Sequence, residues 1–160
     1  MRSSNPPCET ANAPPCGCEH SRMREVLLDT DVLSEILKGK NSAVMATATR
    51  YREEHKRYTT SVITVMEMVK GLQKAGREDA LARLIEALDL SEVLPFDRES
   101  AIIAGRICGD LERLGKPIGR ADPMIAGIAI RHESLVVTGN QEHYARIQSA
   151  GYPLHLDTWR

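Results

Sequence analysis

The sequence predicts an α/β fold, a three-layer α/β/α sandwich around a short, mainly parallel sheet. Short aliphatic or β-branched runs alternate along the chain with segments of helical period. Strands that alternate with helices imply right-handed crossovers, with helices covering both faces of the sheet. The apolar share of 42% is built from Leu, Ile, Val, Ala and Met, with a single Phe and a single Trp, which suits helices packed on a sheet. At 160 residues the chain fits one domain, which at that size buries roughly 70% of its unfolded surface.

Residues 1–22 hold Pro6-Pro7 and Pro14-Pro15 among Ser, Asn, Gly and Thr without periodicity. They are expected to form a disordered extension, followed by one domain over residues 23–160. Met23 opens the patterned region and raises the question of a translation start there, which mass spectrometry of the native N-terminus decides. Val26 to Asp29 predicts a buried strand, followed by a helix over Val32 to Lys38 ended by Gly39. A long helix is expected over Ser42 to Arg57, a strand over Tyr58 to Ile63 and a helix over Val65 to Ala75 before Gly76. Glu78 to Leu88 carries Leu81, Leu84, Ile85 and Leu88 on one face, an amphipathic helix. Val93-Leu94 then makes a short strand, and Arg98 to Leu114 the longest helix. Pro123 to His132 is apolar nearly all round and reads as a buried helix feeding a strand at Leu135 to Val137. A last helix, about His143 to Ala150, precedes an edge strand at Leu154 to Leu156.

The formal net charge is −1, so no global basic field announces a nucleic-acid partner, and a local patch or a metal would have to hold one. No apolar run approaches the ~20 residues that span a bilayer, and the start of the chain lacks the apolar core of a signal peptide. A cytoplasmic protein without membrane contact is the expectation. Cys8, Cys16 and Cys18 lie near His20, but Cys16 and Cys18 are set closer than the paired cysteines of structural zinc sites. Cys108, in a helical pattern, reads as a small buried apolar residue.

The acids carry the chemistry. In Leu27-Leu28-Asp29-Thr30-Asp31-Val32, two carboxylates flank one residue at the end of a buried strand. Thr30 or Asp31 can cap the helix that follows, whereas Asp29 precedes the expected cap and, as a buried ion, needs a partner. Thr64-Val65-Met66-Glu67 has the form of a capping box, with Thr64 as N-cap. Asp122-Pro123 reads as a cap followed by proline at the first helical position, and Asp97 repeats the pattern before the longest helix. In a parallel sheet, helices that run antiparallel to the strands start at the strands' carboxyl edge, where such folds bind ligands. Two unpaired carboxylates ~4 Å apart repel by roughly 4 kcal/mol at an effective dielectric near 20. Several acids together therefore need a cation or a shared proton, and all-oxygen ligands favour Mg²⁺ or Mn²⁺ over zinc.

The segment from Leu27 to Glu35 resembles the opening motif of VapC-type PIN domains, where Asn commonly stands at the Asp31 position. Ser61 to Glu67 resembles the second motif, Gly119 to Ala126 the third, and Val137-Thr138-Gly139-Asn140 through His143-Tyr144 the closing one. The four occur in the family's order and spacing from Met23 almost to the C-terminus, whereas residues 1–22 lie outside the resemblance. It implies a metal-dependent ribonuclease toxin of a type II toxin–antitoxin system, with Asp29, Glu67 and Asp122 as metal-binding and catalytic acids and Mg²⁺ or Mn²⁺ as cofactor. The fourth acidic position falls at or beside Asn140, whose neutrality leaves the site one negative charge poorer. Asp31, Thr138 and Asn140 would orient ligands and water, and Pro123 replaces a usual aliphatic residue. The resemblance further implies an RNA substrate, a VapB-like antitoxin and a homodimer.

Lys116 and Arg120 flank the Asp122 loop and are candidates for RNA phosphate contact, the plainer alternative being a solvated turn. Arg50, Arg52, Lys56 and Arg57 suit an exposed helix end. His143 reads as a surface residue near a cap. Two other functions compete. One is a PIN-like module that binds a partner without cutting, motivated by Asn140. The other is a haloacid-dehalogenase-type phosphatase, suggested by Asp29-Thr30-Asp31, although Leu33 stands where Thr or Val is expected and no acidic pair follows Thr138.

Overall fold

The computed structural model describes residues 25–160; the expectations for residues 1–22, for Met23 and for the N-terminal cysteines lie outside that range. Five short strands, β1 (Val26–Leu28), β2 (Thr59–Ser61), β3 (Glu92–Leu94), β4 (Leu135–Val137) and β5 (His155–Asp157), form one sheet in the order β3-β2-β1-β4-β5. Every pairing is parallel. The helices are α1 (Thr30–Lys38), α2 (Ser42–His55), α3 (Val62–Lys74), α4 (Glu78–Asp89), α5 (Arg98–Arg113), α6 (Ala121–Arg131) and α7 (Gln141–Ser149).

The pleat sorts the sheet into two cores. On β1, Leu27 faces one cluster while Val26 and Leu28 face the other, and on β4 Val136 and Val137 divide in the same way. The first cluster takes Ile107 and Leu111 of α5, Ile125 and Ile128 of α6 and Ile147 of α7. The second takes Val32 of α1, Val44 and Tyr51 of α2, Met68 of α3 and Leu84 of α4. With helices on both sides of the sheet, this is the three-layer sandwich expected. Gly127 allows α6 to lie close against α5, since a Cβ there would sit 2.5 Å from the Ser100 carbonyl oxygen.

Several boundaries differ from the sequence expectation, two of them because a cap falls elsewhere, and the last strand is His155–Asp157 rather than Leu154 to Leu156. The strand expected through Ile63 stops at Ser61, because the Ser61 hydroxyl accepts the Thr64 amide at 3.0 Å and starts α3 three residues early. Helix α1 begins at Thr30, with Asp29 rather than Thr30 or Asp31 as its N-cap. Helix α6 begins at Ala121 behind Arg120, which makes Asp122 its second residue and Pro123 its third. Trp159 is buried in the second cluster, its ring centroid 5.6 Å from that of Tyr51, and so anchors the chain's last residues to the body. Cys108 is only partly buried, and burial pushes its thiol up.

Candidate active site

The strand order reverses between β1 and β4: the chain moves from β1 outward to β2 and β3, then returns to the other side of β1 at β4. Open α/β sheets bind ligands in the crevice outside such a switch point. Asp29 leaves the carboxyl end of β1 and Thr138 that of β4, beside each other because Leu28 is in register with Val137. The Thr138 hydroxyl donates to Asp29 Oδ2 at 2.8 Å and the Tyr144 hydroxyl, from α7, to the same oxygen at 3.1 Å. Asp29 Oδ1 accepts the Thr30 amide at 2.7 Å. All three donors are neutral, so they orient the carboxylate without cancelling its charge.

Glu67 and Asp122 approach from the neighbouring helices. The capping-box explanation of Glu67 fails, because Ser61 caps α3 and Glu67 lies in its second turn; its carboxylate instead accepts the Thr30 hydroxyl at 2.8 Å. Asp122 does not cap either, and its Oδ2 lies 2.6 Å from His143 Nδ1. The same ring nitrogen is 3.0 Å from the Asn140 side-chain amide, and the Asn140 backbone amide donates to the Thr138 hydroxyl at 3.0 Å. Asn140 is the N-cap of α7 without a side-chain cap bond, so its amide group remains directed at His143.

The electrostatics tie the three acids together. Burial pushes the Asp29 carboxyl above its usual range, the neighbouring Asp31 charge adds to the rise, and the hydrogen bonds from Thr30, Thr138 and Tyr144 oppose it. The buried Tyr144 phenol is pushed well above its ordinary value, first by burial and then by the charges of Asp29, Asp122 and Glu67 acting on the one hydroxyl. Of these, Asp29 accepts a hydrogen bond from the Tyr144 hydroxyl, while Asp122 and Glu67 act on it through charge alone. Among the described residues no lysine or arginine pairs with any of them; the one ion-pair partner is His143, on Asp122. The N-terminal turns of α1, α6 and α7 face this edge and offset part of the repulsion.

The acids ring the crevice rather than closing on a point. Among the described residues no three His, Cys, Asp or Glu side chains are grouped as a finished metal cage, since Glu67 leans to Thr30 and Asp122 to His143. Their chemistry nevertheless fits a hard divalent cation: oxygen donors only, Asp29 held in place by neutral groups, and an excess of negative charge.

Asp31 stands apart from this set. Its Oδ1 accepts the Val32 amide at 2.8 Å, and its Oδ2 accepts the Gly139 amide at 2.8 Å and the Arg160 guanidinium at 3.0 Å. Arg160 also pairs with Glu35. A Cβ at Gly139 would meet the ends of the Asp31 and Arg160 side chains, so a larger residue there would displace their contact. Of the candidate RNA contacts, Lys116 and Arg120 are both exposed, with Arg120 lining a hollow beside Cys108 and Phe96 on the α5–α6 side. His143 is not the plain surface residue expected. Tyr144, Thr30 and Arg160 also went unrecognised: Tyr144 carries the spacing of a core residue, Thr30 that of a cap, and Arg160 reaches Asp31 across 129 positions.

The sheet order and the carboxylate-lined switch point define a nuclease-like α/β crevice of the kind the sequence motifs implied. The PIN domain model matches residues 26–148. The tRNA(fMet)-specific endonuclease VapC of Salmonella typhimurium is 32% identical over 138 residues, covering 86% of this chain and 99% of that protein. Its counterpart in Shigella flexneri is 29% identical over 126 residues, covering 78% and 93%. Among solved structures, DNA-bound VapBC from Salmonella typhimurium superposes with a TM-score of 0.72 at 31% identity, covering 86% of this chain and 100% of that one. FitAcB from Neisseria gonorrhoeae superposes with a TM-score of 0.68 at 28% identity, covering 82% and 95%. The chain therefore belongs to the PIN-domain family and, within it, to the VapC group.

Proposed function

We propose that this protein is an endoribonuclease that hydrolyses RNA phosphodiester bonds with Mg²⁺ or Mn²⁺ held by Asp29, Glu67 and Asp122, and that it is the toxin of a type II toxin–antitoxin pair. The observation that carries the proposal is Asp29 at the β1–β4 switch point, held by neutral donors, with Glu67 presented beside it against Thr30 and Asp122 against His143, and with no lysine or arginine among the described residues paired to any of the three. A bound divalent cation supplies Lewis acidity toward a phosphate and makes water a stronger nucleophile at neutral pH. The chain's own residues prepare the place for it. Thr138 and Tyr144 fix Asp29, Thr30 fixes Glu67, and His143 holds Asp122. Asp31, pinned by Gly139 and Arg160, sets the β4–α7 loop and with it Thr138 and Asn140. Because Asn140 is neutral, the site favours one strongly held cation over two.

The endonuclease relatives named for tRNA(fMet) make transfer RNA the first substrate to assay. The solved VapBC and FitAcB complexes support a cognate VapB-like antitoxin for this chain, and we also propose a homodimer. Among the described residues no helix is long and apolar enough to cross a membrane, in keeping with action on cytoplasmic RNA. Family membership leaves the phosphatase alternative unsupported. The non-cutting module keeps one observation in its favour, the neutral Asn140. A cleavage assay on labelled transfer RNA decides between them: cleavage should require Mg²⁺ or Mn²⁺, stop with EDTA and vanish in Asp29→Asn. Partner binding by a wild-type chain that cuts no RNA under any of these conditions would replace the nuclease with the module.

A further inference from the structure

Helices α1 and α3 lie side by side, joined at their N-terminal ends by the Thr30–Glu67 hydrogen bond of 2.8 Å. A groove of about 410 Å³ opens along the same two helices and α4, starting near Ser34, one turn along α1 from the acids. Its floor is apolar, with Met68 and Leu72 of α3, and its walls carry Lys38, Lys40, Arg77 and Arg83. All four cations are exposed, and among the described residues none of them makes an ion pair. Glu35, Glu78 and Asp79 stand in adjoining hollows, but the lining of the groove itself carries these four cations and no carboxylate, the opposite of the acidic crevice.

We infer that this groove is the track of the RNA strand leaving the acidic site, with its phosphates held by Lys38, Lys40, Arg77 and Arg83. Lys38 lies eight residues beyond Thr30, which at the α-helical rise is about 12 Å along the helix, so the groove binds flanking phosphates and not the scissile one. The arrangement solves an electrostatic problem: a crevice of carboxylates repels a polyanion, and cations on the path outside it supply the attraction. The apolar floor gives unstacked bases a surface. Glu78 and Asp79 line the adjoining hollow with Arg77 and Arg83 and bound the track on that side. This inference rests on the ribonuclease proposal and names how that site holds its substrate.

The test measures RNA binding separately from cutting. Labelled transfer RNA and a single-stranded RNA are titrated, in EDTA and over a salt series, into Asp29→Asn and into the same variant carrying Lys38→Gln, Lys40→Gln, Arg77→Gln and Arg83→Gln. The four substitutions should weaken binding at least tenfold at physiological salt and reduce the slope of log affinity against log salt by about 2 to 3. An Arg106→Gln, Arg113→Gln pair on α5 should leave both quantities unchanged. Thermal melting checks folding, and the Lys38→Gln, Lys40→Gln pair alone should give about half the slope change should the fourfold variant fail to fold. An unchanged slope with wild-type cleavage intact overturns the track and leaves the nuclease standing. Loss of partner-protein binding with RNA binding unaltered assigns the groove to a protein segment and overturns it equally. A wild-type chain that neither binds nor cuts RNA removes both.

Discussion

Asp29 and Asp97 hold the same local position, yet their carboxyl groups have been driven in opposite directions. Each follows a strand, each is the N-cap of the next helix, and each has extended backbone, with φ −78° and ψ 168° at Asp29 and φ −82° and ψ 179° at Asp97. Asp97 is a complete cap: its Oδ1 accepts the Ser100 amide at 2.8 Å, and that bond, with Arg131 and His132 nearby, holds its carboxyl below the usual range. Asp29 accepts only the adjacent Thr30 amide, turns its other oxygen to Thr138 and Tyr144, and is pushed up by burial and by Asp31. A carboxylate surrounded by donors and cations is a finished structural device. One buried beside another carboxylate, with only neutral donors on it, is a charge still lacking a counterion, as the proposed metal site requires.

The largest effect should come from exchanging the charge at each position. Asp29→Asn should lower RNA cleavage by at least about a hundredfold, since metal-assisted catalysis is worth several kcal/mol, while the melting temperature stays nearly constant. Asp97→Asn should leave cleavage unaltered. Equal losses in a single-turnover assay would erase the distinction drawn between them.

Gly139→Ala tests the edge of the crevice. The added methyl should push the ends of the Asp31 and Arg160 side chains apart and slow cleavage several-fold, because the same loop carries Thr138, with at most a small loss of stability in urea unfolding. A silent substitution would show that the loop is not held as described. Arg160→Ala should act more weakly. Both of its ion pairs are partly exposed, and such pairs are worth less than about 1 kcal/mol each, so a several-fold loss of cleavage with little change in melting temperature is expected. Arg160→Lys should restore part of it.

The smallest effect concerns acid stability. Asp97 has a lowered carboxyl in the folded chain, so its contribution is present above the unfolded value near 3.8 and is lost as pH falls through the folded one. Asp97→Ala should therefore flatten the stability-versus-pH curve at its acidic end and lower stability slightly at neutral pH. A variant that retained the full acid-induced loss would show that other carboxylates carry it.

Much of the architecture was legible in the chain because it depends on short-range periodicity. Leu135 to Val137 is the strand expected, and of the amphipathic face Leu81, Leu84 and Leu88 pack in the second cluster, whereas Ile85 stays exposed. Two of the misplaced ends were at caps, where Ser61 and Asp29 compete with near neighbours of equal capping power. The resemblance supplied Glu67 and Asp122 when their local sequence suggested only caps; neither caps a helix, and they lie at the crevice against Thr30 and His143 instead.

The alternation of strand and helix, the apolar faces that build two cores and the family motifs can be read from the chain because each is written within a few residues. Folding alone settles which capping aspartate is buried without a cation, that Tyr144 bonds Asp29, and that Arg160 reaches Asp31. Burial and electrostatic coupling join groups more than a hundred positions apart, and no local pattern in a chain records a distance that folding alone creates.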